Sequence, residues 1–70
     1  MAKFKVGDLV KYSDDWCSNG ERHLIHIVRE NVLSPTTNEL TRWVIETINS
    51  DLFINPVETV EDYMIVPLNN

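Results

Sequence analysis

Cys17, His23 and His26, spaced C-x5-H-x2-H, carry the most reactive chemistry in this 70-residue chain. A thiolate beside an imidazole is a nucleophile with its base. The same three groups joined by Asp14 or Asp15 make a conceivable ligand set for zinc. The spacing argues against both. Histidines three apart in a strand project to opposite faces. No third group to orient an imidazole and no pattern of oxyanion donors accompanies them. A glycine-rich phosphate loop is missing, and a chain this short gives little room for a deep cleft. We therefore assign no catalytic residue, no metal ligand and no cofactor, and expect no enzyme.

Recognition chemistry is better represented. Tyr12, Asp14, Asp15 and Trp16 fall together in YSDDWCSNGER. Two rings flanking two carboxylates suit a lysine or arginine presented by another protein. A large amphipathic ring in a polar loop is costly to expose unless it meets a partner. The competing reading folds Trp16 back as a cap on a small core. Trp43, Phe53 and Tyr63 also admit two readings: they join Tyr12 and Trp16 in a cage around a cation, or they are the main apolar volume of the core. Glu58, Glu61 and Asp62, with Glu46 and Asp51, suggest an acidic ridge that imitates a row of phosphates. The plainer alternative is a solvated helical face whose acids suit the positive end of the helix dipole.

The elements that must position these residues are short apolar and β-branched runs divided by polar turns, the rhythm of an all-β domain. Phe4–Tyr12 reads as a first strand, with Gly7 at a bulge or bend and Asp8 bonding nearby amides. Residues 13–22 form a loop whose strongest turn signal is Asn19-Gly20. His23–Val32 and Leu40–Ile48 read as strands of an antiparallel hairpin around the turn Ser34–Glu39. In the alternative, residues 39–49 are helical, since Leu40, Trp43, Val44 and Thr47 share one helical face; β-branched and aromatic content decides for strand. Leu52–Ile54 is a short strand. Asn55-Pro56-Val57-Glu58 carries helix-start chemistry, which predicts a helical turn over Pro56–Tyr63. Met64–Leu68 is the last strand, limited by Pro67.

Length and composition bound the rest. Residues 1–70 make a single small domain, which hides only about 60% of the surface its unfolded chain exposes. One cysteine allows no internal disulfide, no apolar run reaches membrane-spanning length, and MAKFKVGD has no signal-peptide core. A cytoplasmic protein without membrane contact is the expectation. The net charge is −5. Residues 1–30 balance, whereas Arg42 alone opposes Glu39, Glu46, Asp51, Glu58, Glu61 and Asp62 in the second half. Phosphate backbones demand lysine and arginine, so the charge disfavours nucleic acid and favours a basic partner.

The Val6-Gly7-Asp8-Leu9-Val10 opening, followed by a long loop, a hairpin, a short strand, a helical turn and a last strand ending in Tyr63–Leu68, resembles the SH3-like small barrels, including their Tudor and KOW-type relatives. The resemblance covers nearly the whole chain. It implies a mainly β fold, a small antiparallel barrel of about five strands with a short helical turn before the last, and a binding module. The chain has no second glycine to match a KOW repeat and no basic face. The function expected is a small acidic protein-interaction module that meets a basic or mixed protein surface through Tyr12, Asp14, Asp15 and Trp16. The alternative is an acidic, DNA-mimic-like inhibitor of a nucleic-acid enzyme acting through Glu58, Glu61 and Asp62, the kind of protein phages and mobile elements encode. A third reading is a nucleic-acid-binding barrel using its aromatic rings. A monomer or weak homodimer is expected, given exposed strand edges.

Overall fold

The computed structural model describes residues 3–17 and 22–68. The Asn19-Gly20 turn signal lies outside the described residues. Five strands, β1 Leu9–Tyr12, β2 His26–Val32, β3 Arg42–Thr47, β4 Val57–Glu61 and β5 Ile65–Pro67, form one antiparallel sheet in the order β4-β3-β2-β1-β5. Helical backbone among the described residues is limited to two 3-10 turns, Asp14–Trp16 after β1 and Asp62–Met64 before β5. No helix of the described residues is long and apolar enough to cross a membrane.

One face of the sheet is apolar and curls on itself. Every strand supplies it: Val10 from β1, Val28 from β2, Trp43 and Ile45 from β3, Val60 from β4 and Ile65 from β5 are buried together. Phe4, ahead of β1, closes this core with its ring edge-on to Trp43 at 5.6 Å between centroids. The curl brings β1 and β4 together although two strands separate them in the sheet. The Tyr12 hydroxyl donates to Glu58 Oε2 across that gap. The sheet remains open, with β4 and β5 as its two edges.

Two irregularities supply the curvature. Val6 and Gly7 form a turn in which the Asp8 amide donates to the Lys5 carbonyl at 3.0 Å. Gly7 adopts φ 97°, which only glycine takes without strain. Gly7 N–H donates to Val28 O, and Val28 N–H donates to Asp8 O. Two residues thus oppose one, the arrangement of a bulge with a left-handed glycine. Asp8 also accepts from the Lys5 amide through its carboxylate at 3.0 Å. The second irregularity is in β2, where the pairing with β3 shifts between Val28 and Glu30.

The strands β2, β3 and β5 are shorter than the sequence reading has them, and three larger departures accompany this. The first strand starts at Leu9 because the residues before the bulge pair only through Gly7. Leu52–Ile54 is a series of bends rather than a strand. Residues 57–61 extend as β4, where a helix was expected. Val60 must enter the core opposite Trp43, and Glu61 stands opposite Arg42; strand spacing satisfies both. The helical turn before the last strand is present, confined to Asp62–Met64.

Candidate functional site

The first 3-10 turn is closed by the Trp16 amide donating to the Ser13 carbonyl at 2.9 Å. Ser13 is itself fixed, its amide donating to Met64 O at 3.0 Å, which ties this turn to the second one. The result brings Trp16 against Tyr63, with ring centroids 5.7 Å apart and planes tilted by 56°. Both rings face solvent, Trp16 at 49% and Tyr63 at 57% exposure. Trp16 is therefore outside the core, and the reading that folds it inward does not hold. Ring pairs at this separation gain roughly 0.5–1.5 kcal/mol beyond area burial, which favours the pairing while leaving the outer faces in solvent.

The carboxylates adjoin the rings. Asp14 and Asp15 are exposed on the same turn. Asp14 Oδ1 accepts from Arg22 Nη1 at 3.2 Å, with both side chains largely in solvent. Asp14 and Tyr12 line a shallow depression of about 330 Å³ with Lys11, Ser13, Val66 and Pro67. Tyr63 lines another of about 460 Å³, walled by Ser34, Pro35, Thr37, Arg42 and Glu61. The loop that shapes it is held by backbone bonds from Ser34 N to Glu39 O and Asn38 N to Ser34 O, with Asn38 in left-handed backbone at φ 58°.

Tyr12 divides its role. Its ring packs against the core and stands edge-on to His26 at 5.0 Å, while its hydroxyl holds Glu58. The helical face expected to carry Glu58, Glu61 and Asp62 is replaced by β4 and the second 3-10 turn. Glu58 is bonded by Tyr12, Glu61 Oε2 pairs with Arg42 Nε at 2.7 Å, and Asp62 opens the second 3-10 turn. Trp43 is 1% exposed and belongs to the core, Phe53 is fully exposed, and Tyr63 joins Trp16. A common cage of these rings with Tyr12 and Trp16 does not form. His26 is buried, with Nδ1 2.9 Å from Thr47 Oγ1, whereas His23 is exposed. Among the described residues no three His, Cys, Asp or Glu side chains are grouped to hold a metal ion.

Of the rings expected to join Tyr12 and Trp16 in a cage, Tyr63 is the one set against Trp16, a selection not legible in the sequence. The signal lay in the register of the last strand: Tyr12 opposite Ile65 sets the second 3-10 turn beside the first. No family model, curated protein or solved structure matches this chain.

Proposed function

We propose that this chain is a small SH3-like interaction module whose first 3-10 turn and Tyr63 receive a basic segment of another protein. The long loop, the hairpin and the 3-10 turn ahead of the last strand support the SH3-like reading, as does the curl around one core. The observation that carries the functional reading is the exposed Trp16–Tyr63 pair beside Asp14 and Asp15. Aromatic rings supply large contact area at small entropic cost, and the carboxylates select cations and steer them in. A cationic side chain over either ring adds a cation–π contribution.

Selection from a displayed library of lysine- and arginine-containing peptides, followed by titration, tests this. Trp16→Ala is expected to weaken the selected peptide at least tenfold while the chain stays folded, its thermal midpoint falling by about 4–8 °C for the roughly 1 kcal/mol lost with the ring pair. Binding that survives Trp16→Ala unchanged would refute the reading.

A further inference from the structure

The two edges of the sheet differ. β5 is three residues long and ends in Pro67, which cannot donate to a neighbour. β4 is five residues long and contains no proline, lysine or glycine. The ladder with β3 fixes which of its backbone groups are used. Asp62 N–H donates to Thr41 O, and Thr47 N–H donates to Pro56 O. In an antiparallel ladder alternate residues bond to one side, so Pro56, Glu58, Val60 and Asp62 face β3. Val57, Thr59 and Glu61 turn their N–H and C=O groups outward, and no backbone bond of the described residues uses them.

This outward set is symmetric about Thr59, and it enters from an unusually apolar segment. Leu52, Phe53 and Ile54 precede it, and Val57 begins it, all exposed, with Phe53 at 104%. Isolated exposed apolar side chains are ordinary, but a contiguous set beside an unpaired edge marks an association surface.

We propose that β4 is the seam of a homodimer in which the edges of two copies pair antiparallel about a two-fold axis at Thr59. Val57 then bonds with the second copy's Glu61, Thr59 with Thr59, and Glu61 with Val57, each pair exchanging N–H···O bonds in both directions. The arrangement satisfies every outward group at once. Glu61 meets Val57 and Glu58 meets Val60, so no like charges stand directly opposite, and the threonine pair at the axis is a favourable cross-strand contact. The apolar segment ahead of Val57 abuts the seam at both ends. A second copy fits this edge because the pattern is its own complement. The net charge of −5 on each copy opposes association at low salt.

Sedimentation equilibrium on the full chain tests the seam. A dimer is expected in the wild type, tightening as salt rises. Thr59→Lys and Thr59→Glu each place like charges face to face across the axis, and each is expected to raise the dimer dissociation constant at least tenfold. An equimolar mixture of the two is expected to restore association as a heterodimer. Both substitutions fall at an exposed position and leave the backbone ladder with β3 intact, and circular dichroism checks that each variant stays folded. A wild-type chain that is monomeric up to about 1 mM, the weak limit of specific association, would overturn the proposal. So would a dimer indifferent to both substitutions, or a mixture that fails to associate.

Discussion

On the proposed binding mode, a basic partner competes with Arg22 for Asp14. Both side chains are well solvated, and exposed pairs of this kind contribute roughly 0.2–1 kcal/mol. Arg22→Ala is therefore expected to tighten a basic peptide about two- to fivefold, read by titration at low salt, with the gain fading as salt screens the carboxylate. Gly7 is constrained by backbone rather than space: a Cβ there meets nothing within 4 Å, while φ 97° opposes any L side chain. Gly7→Ala is expected to cost about 1–2 kcal/mol, and Gly7→Asn less, because asparagine tolerates positive φ better. Urea unfolding distinguishes the two. Glu46 supplies a third residue-scale prediction. Asn55 and Arg29 donate to its carboxylate at 2.9 and 2.8 Å and hold its pKa below the ordinary 4.5. A depressed carboxyl contributes stability that is complete above its unfolded pKa and is lost as pH falls through the folded value. Glu46→Gln is expected to flatten the acid limb of a stability–pH profile below about pH 4.5.

At the scale of elements, β2 and β3 were legible and β4 was not. The two central strands carry dense β-branched and aromatic residues, which outweighed a passable helical pattern in Leu40, Trp43, Val44 and Thr47. The structure extends both, trimmed at their ends: Ile48 N–H still donates to Ile25 O at 2.9 Å, and beyond it Asn49 takes the Ile25 amide at 2.7 Å and donates to His23 O at 2.9 Å, so a side chain replaces the ladder after Ile48. Residues 55–58 have the chemistry of a helix start, and local signals alone favour a helix there. Tertiary pairing overrides them, because Arg42 and Trp43 on β3 each find a partner only if residues 57–61 extend. Arg42 and Glu61 are only partly exposed, and a double-mutant cycle to alanine is expected to give a coupling near 1 kcal/mol. Gly7 as a bulge was readable from glycine alone, since its role depends on backbone freedom. The meeting of Trp16 with Tyr63 was not, because 47 positions separate them in sequence and only the β1–β5 register joins them.

For the whole molecule, a single small core does two jobs. It holds five strands on one curled face and leaves the chain's other tryptophan outside. Trp43 is the largest fully buried side chain, and Trp43→Ala is expected to cost about 3–5 kcal/mol, enough to unfold a domain of this size at ambient temperature. The molecule thus contains one structural and one exposed indole, which a single spectrum can separate. The most direct test is the pair of indole N–H resonances of the ¹⁵N-labelled chain, followed while a peptide selected from the basic library is added. We expect the Trp16 signal to shift in proportion to occupancy, along with the amides of residues 13–16 and 62–64, while the Trp43 signal stays in place. Shifts that leave Trp16 untouched and gather elsewhere on the sheet would contradict the assignment of this surface.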